Sequence, residues 1–292
     1  MKNLATYDLH LHTEWSYDAL AKVEDYFQLA RERRLRAIAI TDHHLMDAYG
    51  AGDVAAAAAK YPDVRFFAGG ELTVHCPLGT YDLVCLNLPL QPECGELVEL
   101  WKTYREWQRA CGHAYSVNFT RLCGPFDDDA RMRLLKSYRA PRIIAKHGNS
   151  HVRFATMRDE AIRRGWVRDQ DDYWRLYSSF TDVPDYPEYD YVVPRVKRAG
   201  GVVIIAHPYG YFEHDNVKLM DELREMLQLD GIECAHPSVP PEATAFYRDY
   251  CVKHGLLSSG GSDLHEAPFD SLAEHCGQDK WLDELCERAT LH

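Results

Sequence analysis

The residues that could do chemistry in this chain are histidines and acids set directly behind apolar runs. His10-Leu11-His12 places two imidazoles at i and i+2. Alternate side chains of a strand share a face, so both rings can reach one cation. Thr41-Asp42-His43-His44 follows the run ending at Ile40, and Gly69-Gly70-Glu71 follows the run ending at Ala68. Ala206-His207-Pro208 follows V-V-I-I, and Gly261-Ser262-Asp263-Leu264-His265 follows L-L-S-S. With 15 histidines in 292 residues, about one H-x-H pair is expected by chance, so that motif alone decides little. Recurrence behind strand after strand carries the weight, because barrel enzymes gather their catalytic groups where parallel strands end.

Imidazole nitrogen and carboxylate oxygen suit Zn²⁺, Mn²⁺ and Fe²⁺. A carboxylate such as Glu71 can bridge two ions, and a close ion pair acidifies a shared water and stabilises both oxygens of a phosphoryl displacement. The chain has no G-x-S-x-G elbow and no Cys in a nucleophile motif. A hydroxide held by metal is therefore the expected nucleophile, with Glu71, Asp263 and His265 as the expected catalytic residues.

Such residues need a scaffold. Tyr7 to Leu11 predicts a strand, Val23 to Leu35 an amphipathic helix, and Ala37 to Thr41 a buried strand. A helix at Val54 to Lys60 and strands at Val64 to Ala68 and Asp82 to Leu88 follow. From Pro92 to Pro187 the pattern is helical, with Trp101, Tyr104, Trp107 and Tyr115 in one long stretch. Alternation then resumes with strands at Val202 to Ala206, Gly231 to Cys234 and Leu256 to Ser259. This order predicts βαβ units and a mainly parallel sheet or barrel over 1–91 and 188–292, interrupted by a helical insertion at 92–187.

Composition narrows the class. A net charge of −12 argues against a stable nucleic-acid partner. No apolar run is long enough to cross a bilayer, and Met1-Lys2-Asn3-Leu4 does not open a signal peptide, so a soluble cytoplasmic protein is expected. Nine cysteines without a C-x-x-C pair point to reduced thiols rather than a disulfide framework.

The segments Asp8 to Ala19 (D-L-H-L-H-T-x-x-S-Y-D-A), Ile40 to His43 (I-T-D-H), Gly69 to Leu72 (G-G-E-L), Ile205 to Pro208 (I-A-H-P) and Gly260 to His265 (G-G-S-D-L-H) resemble, in order, the PHP (polymerase and histidinol phosphatase) family of metal-dependent phosphoesterases. The resemblance implies an α/β fold, a distorted (β/α)7 barrel, with two or three divalent ions (Mn, Zn or Fe). It implies that His10, His12, Glu71 and Asp263 surround a first ion, Glu71 and His207 a second, and Asp18, His43 and His265 a third. Where many family members carry a second-site histidine, this chain has Asp82, an oxygen ligand acceptable to the same ions. His75 is a distant alternative: on a continuous strand it lies about 13 Å from Glu71.

The insertion holds the expected anion contacts. Between Arg139 and Arg168 stand eight Lys/Arg residues against two acids, Asp159 and Glu160. Asn149-Ser150-His151-Val152-Arg153 resembles the family's phosphate-contacting R-x-H-x-A segment, with Asn149 in place of Arg. His151 and Arg153 are the expected substrate contacts, followed by Arg142, Lys146 and His236, the last in Cys234-Ala235-His236-Pro237 behind a strand. The expected activity is hydrolysis of a phosphate monoester on a small metabolite, such as a nucleotide or an amino-acid-like compound. The alternatives are an exonuclease acting on short oligonucleotides and a module that binds metal without turnover.

Overall fold

The computed structural model describes residues 5–275 and 277–292. The opening Met1-Lys2-Asn3-Leu4 and Cys276 lie outside them. The strands are β1 (Tyr7–Leu11), β2 (Ala37–Ile40), β3 (Phe66–Cys76), β4 (Gly79–Leu86), β5 (Val202–Ile205), β6 (Gly231–Ala235) and β7 (Leu257–Gly260). They form one sheet in sequence order. Short apolar runs form most of them, as expected of strands buried on both faces.

The sheet curls into a nearly closed seven-stranded barrel surrounded by helices. Closure comes from the segment behind β7: the Asp263 N–H donates to the His10 carbonyl and the His12 N–H to the Leu264 carbonyl, each at 2.9 Å. Buried Tyr7, Leu9, Ala39, Phe67, Leu86 and Ile204 pack in one apolar cluster with Leu282 and Leu285 of the terminal helix Asp279–Cys286.

Two features correct the expected pattern. First, β3 does not stop at Ala68 but runs on to Cys76, so Glu71 stands inside a strand rather than behind one. Gly69 permits this: a Cβ there would lie 2.7 Å from the Cys85 carbonyl oxygen, so the glycine marks close backbone approach rather than a strand end. Second, β4 runs antiparallel to both neighbours, while the other pairs are parallel. A reversed strand brings its N-terminal half to the end where its neighbours finish. Asp82 thereby lies level with the end of β5, its carbonyl accepting the Ala206 N–H at 2.9 Å.

Contacts divide the chain into two units. The barrel unit comprises Met1–Ser16, Leu20–Trp101 and Tyr186–His292, and the other unit Tyr17–Ala19 and Lys102–Asp185. The second unit is helical and has its own core, with Phe119, Phe126, Leu135, Met157 and Tyr173 buried together. Arg131 is buried there and donates to the carbonyls of Gly112, Asn149 and Ser150 and to Asp128 Oδ1. Among the described residues, no helix is long and apolar enough to cross a membrane.

Candidate metal centre

The ligand-type side chains enter from several strands and the residues just beyond them. His10 and His12 come from β1 and the residue beyond it, their rings 5.1 Å apart. His43 follows β2, bridged in parallel to Glu71 of β3. Glu71 pairs with Val84 and Thr73 with Asp82 across the β3–β4 hairpin, which sets Glu71 and Asp82 diagonally on one face. His207 and Asp263 sit behind β5 and β7 with φ of +29° and +53°. Such left-handed backbone is uncommon outside glycine and recurs at functional sites.

Among the described residues, the ligand atoms converge in three groups: His10, His12, Glu71 and Asp263; Glu71, Asp82 and His207; His12, His43 and His265. In the first, Glu71 Oε2 lies 3.2 Å from Nε2 of both His10 and His12, while Asp263 Oδ1 lies 3.5 and 3.1 Å from the same nitrogens. All four atoms are buried without a hydrogen-bond partner. Ligands about 2.0–2.1 Å from a tetrahedral cation stand about 3.4 Å from one another, so these atoms fit one divalent ion. In the second group, Glu71 Oε1 is 3.0 Å and Asp82 Oδ2 3.7 Å from His207 Nε2. Asp82 is also hydrogen-bonded, accepting from Thr73 Oγ1 at 2.5 Å and from Tyr211 OH at 2.6 Å. In the third, His12 stacks on His43 and on His265 at 4.3 and 4.2 Å.

Electrostatics demand positive charge here. Burial opposes ionisation, yet the Glu71, Glu233 and Asp263 carboxylates hold His10 well above the ordinary histidine range. Against its own burial, Glu71 is held well below the carboxylate range by His10 and His43. His207, whose burial works the other way, is pushed up to about 9 by Glu71. Buried carboxylates of this density require cations or protons among them.

Partners beyond the ligand set fix the ring orientations. Glu233, an acid inside the apolar strand G-I-E-C, accepts from His10 Nδ1 at 3.0 Å and from the His207 N–H at 2.7 Å. Ser16 Oγ lies 3.0 Å from His12 Nδ1, accepts the His43 N–H at 2.8 Å and donates to buried Asp42 at 3.2 Å. His265 Nδ1 donates to the Asp263 carbonyl at 2.8 Å. These partners leave Nε2 of His10, His12 and His265 as the ligand atom. Asp8 accepts the Ser262 and Ala273 N–H groups at 3.0 and 2.8 Å, and burial pushes its carboxyl up to about 6. Asp8 opens the D-L-H-L-H-T motif, while for Glu233 an acid within an apolar strand was the available signal.

The remaining candidates stand as follows. Asp18 lies in the Tyr17–Ala19 segment of the helical unit and belongs to none of the three groups. His75 lies on β3 beyond Glu71 and is in no group. His236 is buried, its ring 5.4 Å from His207. Within the helical unit, His151 is buried beside Tyr17 at 4.1 Å and Trp107 at 5.6 Å. Arg153 is the N-cap of the helix Phe154–Arg163, and Arg142 and Lys146 lie on the helix Pro141–His147. Asn149 donates to the Asp128 carbonyl at 2.9 Å. Arg163 and Arg164 pair with Glu160, and Arg168 with Asp172, so part of the basic excess is neutralised locally.

Fold and site together define an α/β barrel protein built to hold metal. The chain belongs to the PHP domain family, whose model matches residues 8–189. It is similar over 99% of its length to the "putative metal-dependent phosphoesterase" of Bifidobacterium adolescentis, covering 98% of that chain at 21% identity and a TM-score of 0.75. It is similar to the same extent of chain in an amidohydrolase from Chromobacterium violaceum solved with bound sulfate and no metal, at 25% identity and a TM-score of 0.72. No curated protein matches the sequence.

Proposed function

We propose that this protein is a metal-dependent phosphoesterase that releases phosphate from a small phosphorylated metabolite. The observation that carries this is the divided use of Glu71. Its Oε2 faces the His10, His12 and His43 nitrogens at 3.1–3.2 Å, and its Oε1 faces His207 at 3.0 Å. One carboxylate serving ligands on both sides suits two cations working on a single substrate. Divalent ions held by these residues would supply Lewis acidity toward a phosphoryl oxygen and would acidify a water. The chain's own residues do the rest: Glu233 and Ser16 fix the rings of His10 and His12, and Tyr211 donates to Asp82. The Chromobacterium violaceum protein was solved with bound sulfate, a tetrahedral oxyanion like phosphate, and this supports phosphate as the group recognised. His151, Arg153, Arg142 and Lys146 remain the proposed anion contacts.

The test is phosphate release by Mn²⁺- or Zn²⁺-loaded protein from a panel running from phosphorylated metabolites and mononucleotides to short oligonucleotides. Release from small monoesters supports the proposal, and release only from oligonucleotides gives the exonuclease instead. Full metal loading without turnover of any member leaves a binding module. Glu71→Gln is expected to lose metal and activity together, and near-normal turnover in that variant overturns the bridging role.

A further inference from the structure

We propose that His236 is not a metal ligand but a fixed hydrogen-bond donor to a phosphoryl oxygen of the substrate, an inference that rests on the phosphoesterase function above. A neutral imidazole has one N–H and one lone pair, and the partner of one nitrogen decides what the other offers. At His10 the partner of Nδ1 is the Glu233 carboxylate at 3.0 Å, which only accepts. At His265 it is the Asp263 carbonyl at 2.8 Å, which also only accepts. Both rings therefore carry the proton on Nδ1 and turn a lone pair at Nε2 toward the centre. His236 is wired in the opposite sense. The backbone N–H of Ser238 donates to its Nδ1 at 3.0 Å, and Ser238 Oγ lies 2.7 Å from the same nitrogen. A backbone amide nitrogen does not accept, so Nδ1 must be the lone pair and the ring proton must sit on Nε2.

That N–H is in the wrong protonation state to ligate, and among the described residues no acceptor lies within ordinary hydrogen-bond distance of it. His236 is 7% exposed, its Nε2 is buried without a hydrogen-bond partner, and the facing Asp263 Oδ2 is 3.6 Å away. The ring lies 5.4 Å from His207 and 6.2 Å from His10, and none of the three ligand groups includes it. Buried polar groups are normally paired. The missing acceptor at this place is an oxygen of the phosphoryl group that the ligands on either side are arranged to receive.

The experiment compares His236→Phe, which keeps a ring and removes the donor, with His236→Gln, whose amide N–H reaches a similar position. Each is loaded with Zn²⁺ and measured for metal content, for inorganic phosphate binding by calorimetry and for kcat/KM on a phosphomonoester. Both variants are expected to keep the wild-type metal count. His236→Phe should bind phosphate about tenfold more weakly or worse, and His236→Gln should recover most of the loss. Loss of an ion in His236→Phe, or phosphate binding equal to wild type, overturns the proposal. Wild-type protein that holds Zn²⁺ but neither binds phosphate nor cleaves the ester removes the phosphoesterase reading, and this proposal with it. Nitrogen-15 spectra of the wild-type Zn²⁺ protein, with the His236 signals assigned by their absence from His236→Gln, read the tautomer without relying on a folded Phe variant. A protonated Nε2 is expected, and a protonated Nδ1 overturns the assignment.

Discussion

Glu233 Oε1 stands 3.0 Å from Nδ1 of His10, two buried side chains 223 positions apart in sequence, while its other oxygen takes the His207 N–H at 2.7 Å. A carboxylate behind a ligating imidazole fixes the tautomer and raises the basicity of the ligand nitrogen. Glu233→Gln is therefore expected to weaken divalent metal binding about 10- to 100-fold while the protein stays folded. Competition against a chelator of known affinity measures this, and unchanged affinity would show that Glu233 serves packing alone.

Asp82 is both hydrogen-bonded and within reach of the Glu71–His207 pair. Its Oδ1 is engaged by Thr73 and its Oδ2 by Tyr211, which leaves one lone pair on each oxygen for further use. Asp82→Ala is expected to remove one ion per chain, to leave the ion held by His10, His12 and Asp263, and to lower phosphate-ester turnover strongly. Elemental analysis after loading decides, since a full metal count with full activity excludes Asp82 as a ligand.

Gly261 is where the residues behind β7 press on β1. A Cβ at Gly261 would lie 2.2 Å from the His10 Cβ and 2.8 Å from the His10 nitrogen. Gly261→Ala must push the two segments apart and is expected to cost about 1–3 kcal/mol of stability, the range for overpacking a buried site, with weakened metal binding. Denaturant unfolding of the metal-free protein measures the first effect, and a midpoint equal to wild type would contradict the close approach.

In the helical unit, the Arg163 and Arg164 guanidinium groups, bonded to Glu160 at 2.6–2.7 Å, hold its carboxyl down to about 2 from an ordinary 4.5. The folded value lies below the unfolded one, so the contribution to stability is complete above about pH 4.5 and disappears as the pH falls through about 2. Arg163 is largely exposed, so water screens the pair and only a small contribution is expected. Glu160→Gln should thus melt slightly earlier than wild type near neutrality, the gap closing with acid. Melting curves across pH 2–7 check this, and a gap that persists at low pH would mean that shape rather than charge matters at Glu160.

Much of the barrel was legible because its signals are local. An apolar run such as V-V-I-I followed by His207, or L-L-S-S followed within a few residues by Asp263, states both a strand and what stands behind it, whatever the rest of the chain does. The course of β3 was not local. Gly69 and Gly70 read as an ending, and only the pairing with β4 shows that the missing side chain admits the Cys85 carbonyl. The reversal of β4, which lifts Asp82 to the level of His207, likewise depends on which strands become neighbours. So does the partner that decides the chemistry of His10, whereas His236 takes its partner from two residues on. His10 and His236 are the same residue type behind or within similar strands. Glu233 makes one a lone-pair donor to a cation, and the Ser238 amide makes the other an N–H donor. The sequence by itself determined the strands and the stock of ligand-type side chains they carry. Tertiary structure decided how those side chains converge and, at His10, which nitrogen faces the centre, because Glu233 stands 223 positions away and reaches the ring only when the barrel closes.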